Sequence, residues 1–169
     1  MTRRPSSEAE ADRIGGLYDR FAGVLYRYAL MILADPAGAA DAVQQVFVAL
    51  LGRTGGAIDE EERYLRRSVR NACYSALRQR RPNVLSASDA PLLEAVAREA
   101  DRPDERIAIE QAMRALSPEQ REVVHLKVFE GWTFQEIADF GGDSINTIAS
   151  RYRYAMDKLR EQLRSTDER

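Results

Sequence analysis

Residues Thr133–Met156 read TFQEIADFGGDSINTIASRYRYAM. Thr133, followed three residues later by Glu136, is the capping-box pattern that begins a helix, and Ser117 followed by Gln120 predicts an earlier helix start in the same way. Two glycines then interrupt the helical spacing of the apolar residues, and a second helical pattern begins at about Ser144. A short helix, a glycine-containing turn and a second helix form a helix-turn-helix, so this stretch predicts a helical fold at its end of the chain.

The second helix of a helix-turn-helix enters the major groove of DNA and reads bases with its N-terminal half. Arginine binds guanine and asparagine binds adenine through paired hydrogen bonds, each worth about 1–3 kcal/mol of discrimination. The side chains predicted to read duplex DNA are Asn146, Thr147, Ser150, Arg151, Arg153 and Tyr154. An ordinary helical hairpin with a solvated basic face would show the same pattern, and the spacing alone leaves both interpretations open.

Helical spacing continues over almost the whole chain, because apolar residues recur at three and four and strand-like alternation is absent. We expect an all-α protein of two small helical domains joined by a flexible linker, with the helix-turn-helix in the C-terminal domain. In the first helix, Gly15-Gly16 is a possible break. The apolar spacing places Leu50 and Leu51 of the second helix on one apolar face, and Leu65, Val69 and Cys73 of the third in one buried stripe. The predicted bounds are a disordered tail over 1–7, a first domain over 8–81, an acidic linker over 82–104 and a second domain over 105–169.

A strongly basic helix is predicted over about 59–81, in a chain whose net charge is -2. Its residues 66–81 read RRSVRNACYSALRQRR and contain no carboxylate. Arginines interleaved with an aromatic ring, an amide and a hydroxyl suit single-stranded DNA, where rings stack on bases and guanidinium groups meet phosphates. The predicted contacts are Arg67, Arg70, Asn71, Tyr74, Ser75 and Arg78, while an exposed run of arginines is also typical of a merely solvated surface.

Several function classes find no support in the composition. One cysteine, Cys73, and one histidine, His125, form neither an internal disulfide nor a metal site, and both are expected to be buried. No nucleophile–base pairing or phosphate-binding glycine loop is recognisable, so we expect no enzyme and no cofactor. The chain has no signal peptide and no apolar run of roughly 20 residues, which indicates a cytoplasmic protein without membrane insertion.

The order of these parts resembles the bacterial extracytoplasmic-function sigma factors over nearly the whole chain. The match is carried by LYDRFAGVLYRYALMILADPAGAADAVQQVFVALL (17–51), YLRRSVRNACYSALRQRR (64–81), ALSPEQREVVHLKVFEGWTFQEIADF (115–140) and SINTIASRYRYAMDKLR (144–160). The resemblance implies a specificity subunit that recruits RNA polymerase to promoters. The chain departs from the family pattern at Ala40, Ala42 and Gln45, and again at Gly141 and Asp143, where apolar residues are usual.

The resemblance also implies a role for each part. Asp41, Gln44, Phe47 and Leu50 would bind the clamp helices of the largest subunit of core RNA polymerase. The basic helix would open the -10 element and capture a flipped base near Asn71, the C-terminal helix would read the -35 element, and the linker would enter the RNA path of the polymerase. An anti-sigma factor is the further partner that the resemblance implies.

Two rival functions fit parts of the sequence. A helix-turn-helix regulator would need paired half-sites and a dimerisation segment, and none is recognisable. A helical interaction protein would use the basic faces to bind an acidic partner. Replacing Arg67 and Asn71 by alanine distinguishes the sigma factor from both, because neither rival needs these residues for promoter-directed initiation.

Overall fold

The computed structural model describes residues 7–53, 60–80 and 103–167, and every regular element in these ranges is a helix. The all-α prediction is thereby confirmed. The described residues divide into two compact units, one on each side of the stretch 81–102. The predicted linker over 82–104, and the tail over 1–7, fall almost entirely outside the described residues.

The first unit contains three helices: α1 (Ser7–Leu33), α2 (Pro36–Leu51) and α3 (Glu61–Gln79). Each of the three packs on the other two. The predicted break at Gly15-Gly16 is wrong, because α1 runs through both glycines without interruption. Both lie exposed, and no atom from elsewhere in the structure is within 4 Å of where a side chain would begin, so no packing contact forces a bend there.

The core of this unit is apolar and comes from all three helices. Leu25 and Tyr28 of α1 are buried, and so are Leu65, Val69 and Cys73 of α3, in agreement with the four-residue spacing in the sequence. Burying one such large apolar side chain stabilises the fold by about 1.5–3 kcal/mol. The core therefore fixes which side of α3 remains available to solvent.

The corner between α1 and α2 also fixes the far end of α3. Ala34 ends α1 in a left-handed conformation, with φ 51°, and its N–H donates to the Leu30 carbonyl at 2.8 Å. Asp35 caps α2 by accepting from the Ala37 N–H at 3.1 Å. The same carboxylate pairs with Arg80, so the start of α2 and the end of α3 are joined by one side chain.

The second unit contains α4 (Pro103–Arg114), α5 (Pro118–Val124), a π-helix (His125–Phe129), α6 (Phe134–Gly141) and α7 (Ile145–Asp167). Both predicted capping boxes are present. Ser117 and Gln120 exchange hydrogen bonds at the start of α5, and Thr133 and Glu136 do so at the start of α6. The helix-turn-helix predicted from 133–156 is thus built from α6 and α7.

The π-helix is the element that the sequence pattern did not predict. His125 is buried, as expected, and its Nε2 lies 2.9 Å from Oε1 of Glu130, five residues along the chain. The Trp132 N–H donates to the Leu126 carbonyl at 2.9 Å, and the Trp132 ring meets Phe140 edge-on at 5.3 Å. These contacts set the turn from which α6 begins.

Candidate functional site

The outer face of α3 brings together all six residues predicted to bind single-stranded DNA. They form two rows with a spacing of four residues, Arg67–Asn71–Ser75 and Arg70–Tyr74–Arg78. Arg67, Asn71 and Arg78 are exposed, while Arg70, Tyr74 and Ser75 are half-buried. One helix therefore presents cations, a ring, an amide and a hydroxyl to the same side.

Contacts along α3 hold part of this face in position. The guanidinium of Arg70 lies 4.7 Å from the centroid of the Tyr74 ring, which keeps the cation and the ring together. Ser75 Oγ accepts from the Gln79 side chain at 3.4 Å. The face thus has a pre-formed arginine–tyrosine pair next to the exposed Asn71.

Arg66 does not belong to this face, although it belongs to the basic run in the sequence. Its side chain is buried, with the residue 3% exposed, and its guanidinium lies 5.3 Å from the ring centroid of Tyr28. Nη2 contacts Oε1 of Glu62 at 3.2 Å. Fewer arginines of residues 66–81 are therefore available to a ligand than the sequence alone indicates.

The outer face of α2 differs in part from the predicted polymerase-binding set. Asp41 and Gln44 are exposed, as that role requires. Phe47 and Leu50 are only 5% and 3% exposed, because their side chains pack into the core of the first unit. The large apolar side chains that α2 does expose, which the sequence reasoning missed, are Val48 at 60% and Leu51 at 56%.

Leu51 was expected on the buried side of α2, and that prediction is wrong. The residue is the last one of the helix, and it points to solvent one position after the buried Leu50. The spacing of three and four that links Asp41, Gln44, Val48 and Leu51 is the signal that would have found this stripe. Tyr18 of α1, itself half exposed, meets the Phe47 ring edge-on at 5.0 Å and borders the same surface.

The N-terminal half of α7 places the predicted duplex-reading residues around its outer side. Ser144 caps the helix, because its Oγ accepts from the Thr147 N–H at 3.1 Å and lies 2.8 Å from the Thr147 hydroxyl. Asn146, Ser150 and Tyr154 follow one another at a spacing of four, opposite the buried Ile148 and Ala155. Arg153 lies over the Tyr154 ring at 5.2 Å.

The turn between α6 and α7 contains an acidic residue that pairs with a predicted reader of α7. Gly142 ends α6 in the left-handed conformation, with φ 75°, and its N–H donates to the Ala138 carbonyl at 2.8 Å. The next residue, Asp143, pairs with Arg151 through Nη1 at 2.6 Å and Nη2 at 3.4 Å. An ion pair thus stands where the family resemblance predicts an apolar contact.

One carboxyl of the helix-turn-helix has a shifted pKa. The Thr133 N–H donates to Glu136 Oε2 at 2.7 Å, and the Thr133 hydroxyl does so at 2.8 Å. These bonds, the backbone one first, hold the pKa of Glu136 below its usual range. Glu136 therefore stabilises the start of α6 in its ionised form.

Within 7–53, 60–80 and 103–167, no three acidic, cysteine or histidine side chains lie together as metal ligands would. None of the helices described there is both long and apolar enough to cross a membrane.

Comparison with known protein families finds two matches in the predicted order. The family model described as Sigma-70 region 2 matches residues 17–82, which contain α2 and α3. The one described as Sigma-70 region 4 matches residues 106–159, which contain the helix-turn-helix.

Curated relatives match over most of their length. The ECF RNA polymerase sigma factor SigL of Mycobacterium tuberculosis is 32% identical over an alignment that covers 92% of this chain and 91% of that protein. The RNA polymerase sigma-E factor of Streptomyces avermitilis is 30% identical, over 85% of this chain and 80% of that one.

A solved structure supports the fold alone. The sigma factor RpoE of Bartonella quintana, crystallised with the anti-sigma factor NepR, superimposes with a TM-score of 0.59 at 21% identity. The match covers 89% of this chain and 96% of that one.

Proposed function

The chain belongs to the extracytoplasmic-function sigma factors of RNA polymerase, which act in transcription initiation, and we propose that it divides this work between its two units. The first unit, over 8–81, binds core polymerase and opens the -10 element. The second unit, over 105–169, reads the -35 element, and residues 82–104 connect the two. The observation that carries this proposal is the gathering of six predicted DNA contacts on one face of α3.

Promoter opening is assigned to the outer face of α3. Unpairing and flipping a base costs a few kcal/mol, so the helix that does so needs compensating contacts to the separated strand. Arg67, Arg70 and Arg78 supply cations for phosphates, and Tyr74 supplies a ring for stacking. Asn71 offers an amide donor and acceptor between these charges, where a flipped base can be recognised, and Ser75 adds a hydroxyl.

Core-polymerase binding is assigned to the outer face of α2. Asp41 and Gln44 provide the polar part, and the exposed Val48 and Leu51 provide an apolar part that loses contact with water on docking. Phe47 and Leu50 contribute to this binding indirectly, because their burial in the core fixes which face of α2 is exposed. The clamp helices of the largest subunit are the expected partner.

Duplex reading is assigned to the N-terminal half of α7. Asn146, Ser150 and Tyr154 form one row along the helix, with Thr147 and Arg153 beside them and Arg151 in the second helical turn. A helix in the major groove contacts base edges with such a row and phosphates with its flanking cations. The -35 element is the duplex that this unit is expected to bind.

Sigma factors are generally non-catalytic regulators, and we expect no catalytic activity in this one. An anti-sigma factor is the proposed regulatory partner, as in the complex of the Bartonella relative. Because bacterial RNA polymerase and the chromosome share the cytoplasm, the protein is placed there.

In vitro transcription with bacterial core polymerase and a pool of promoter fragments tests this function. Defined run-off transcripts are expected only when the chain is added, and the double variant Arg67→Ala/Asn71→Ala is expected to abolish them. The matched control is Arg63→Ala, which removes another exposed arginine of α3 from outside the six-residue set. Unchanged transcription by the double variant would overturn the assignment of α3.

A further inference from the structure

Arg151 differs from the other predicted readers of α7 because its guanidinium group is already paired with a carboxylate. Its Nη1 lies 2.6 Å from Oδ2 of Asp143 and its Nη2 lies 3.4 Å from Oδ1. Arg153, the second arginine of the set, lies over the ring of Tyr154 instead. The two arginines of the predicted reading set are therefore held in different ways.

The position of the Asp143 carboxylate is set by the backbone around it. The Asp143 N–H donates to the Ala138 carbonyl at 3.2 Å, directly after the left-handed Gly142. The following residue, Ser144, caps α7. The carboxylate thus stands at a fixed place in the turn, facing the second turn of the reading helix.

The pair uses the donors that a phosphate would need. A guanidinium binds a phosphate or a carboxylate with the same fork of N–H groups, and the two Nη atoms of Arg151 already face the Asp143 oxygens. The side chains remain 30% and 27% exposed, so an incoming phosphate can reach the pair. A phosphate that binds Arg151 must therefore displace the Asp143 carboxylate from the guanidinium. The bound phosphate then lies close to the negative charge of Asp143.

We propose that Asp143 restrains Arg151 and thereby lowers the affinity of α7 for DNA that lacks the correct sequence. This inference rests on the proposed function, in which α7 binds duplex DNA. On non-promoter DNA, a phosphate alone replaces one anion by another and gains little. At the promoter, base contacts from the rest of α7 favour the exchange, so Asp143 acts as a specificity-determining residue.

The test compares Asp143→Asn with the wild-type full chain on a 30-base-pair duplex of scrambled sequence, by fluorescence anisotropy across a salt series. The variant keeps the shape of the side chain and removes its charge. We expect the variant to bind about 5-fold more tightly at low salt, with a salt slope steeper by about 0.9, the change for one additional neutralised phosphate. The Arg151→Gln background should abolish both effects.

The matched control is Asp157→Asn, which removes the same charge from α7 and frees Arg160 from its pair at 3.0 Å. Equal effects of the two variants would overturn the proposal, because general charge would then explain them. An unchanged salt slope for Asp143→Asn would overturn it as well. So would tighter binding that persists in the Arg151→Gln background.

A second measurement separates this inference from the proposed function. Holoenzyme carrying Asn146→Ala with Arg153→Gln is tested for binding to a promoter fragment recovered from the transcription pool. Undiminished binding would remove α7 from DNA recognition and the inference with it. Weakened binding, together with no effect of Asp143→Asn on the scrambled duplex, would retain the proposed function and refute the restraint alone.

Discussion

Arg66 and Arg67 are neighbours in the sequence but differ in environment. Arg66 is enclosed between the Tyr28 ring and Glu62, whereas Arg67 is exposed on the outer face of α3. Removing a buried side chain leaves a cavity in the packed interior, while removing an exposed one leaves no cavity. The same substitution at the two positions therefore separates stability from function.

Because Arg66→Ala removes the packing of a buried side chain on the Tyr28 ring, we expect it to lower the free energy of unfolding by about 3 kcal/mol. Arg67→Ala is expected to change it by less than about 0.5 kcal/mol. Urea unfolding of both variants measures the difference. In run-off transcription the Arg67 variant is the one expected to fail when assayed at a temperature where both are folded. Equal stability of the two variants would contradict the burial of Arg66.

Ala34 is a second residue whose backbone predicts the effect of a substitution. Its φ of 51° lies in the left-handed region, where glycine avoids the strain of a side chain. We expect Ala34→Gly to raise the free energy of unfolding by about 0.5–1 kcal/mol, despite the greater freedom of glycine in the unfolded chain. Ala40→Gly, inside α2, is the control and is expected to destabilise by about 1 kcal/mol. A loss of stability in both variants would refute the prediction.

Single residues are where prediction from the sequence is weakest. Spacing alone placed Leu65, Val69 and Cys73 in the core, because a stripe of apolar residues has only one way to be buried. Arg66 could not be predicted in the same way, because its partner Tyr28 is on another helix. Leu51 was misplaced because the spacing rule does not say where packing stops at the end of a helix.

At the scale of the helix, the Gly15-Gly16 pair in α1 offers a gain in stability. Both residues are helical, exposed and clear of other atoms, so methyl groups fit there without collision. Glycine inside a helix costs about 1 kcal/mol relative to alanine, so Gly15→Ala with Gly16→Ala is expected to stabilise the first unit by roughly 1–2 kcal/mol. Thermal unfolding measures it. An unchanged or lowered midpoint would show that α1 bends at these glycines after all.

The start of α6 is expected to respond to acid. The stabilisation from the lowered pKa of Glu136 is fully present above the unfolded pKa of about 4.3 and is lost as pH falls through the lower folded value. Glu136→Gln keeps a hydrogen-bonding side chain but has no charge to lose. The difference in unfolding midpoint between wild type and variant should therefore be largest near pH 7 and shrink towards about pH 2. A difference that stays constant over this range would contradict the assignment.

Helix starts were predicted better than helix interiors. A capping box is a local exchange of hydrogen bonds, so four consecutive residues are enough to predict each of the pairs Ser117–Gln120 and Thr133–Glu136. The π-helix at His125–Phe129 depends on packing and on the Glu130 side chain, and no four-residue sequence pattern predicts it.

At the scale of the whole molecule, the two units are expected to fail differently when altered. Arg67→Ala/Asn71→Ala removes contacts that offset strand separation, so a template already mismatched at its -10 region should restore transcription by about tenfold or more. Asn146→Ala/Arg153→Gln weakens duplex binding and should gain far less from that template. Run-off assays on matched and mismatched templates measure both ratios. Equal recovery would contradict the division of work.

The order of the parts was the most predictable feature of the whole molecule. Each motif taken alone fits several folds, but four segments in one order restrict the chain to one family, and the matches at 17–82 and 106–159 agree with that order. The net charge of -2 gave no such guidance, because charge is informative here only where α3 or α7 concentrates it.

The Asp35–Arg80 contact has a consequence for building chimeras from related proteins. A Cβ at Gly38 would lie 2.8 Å from Asp35 Oδ2 and 3.0 Å from Arg80 Nη2, so a larger residue there would push the pair apart. The residues at positions 35, 38 and 80 must therefore be compatible with one another, although they are spread over 46 positions of the chain. A chimera that receives a new promoter-opening helix from a related protein should therefore have compatible residues at all three positions. Otherwise the contact that joins the start of α2 to the end of α3 would be lost.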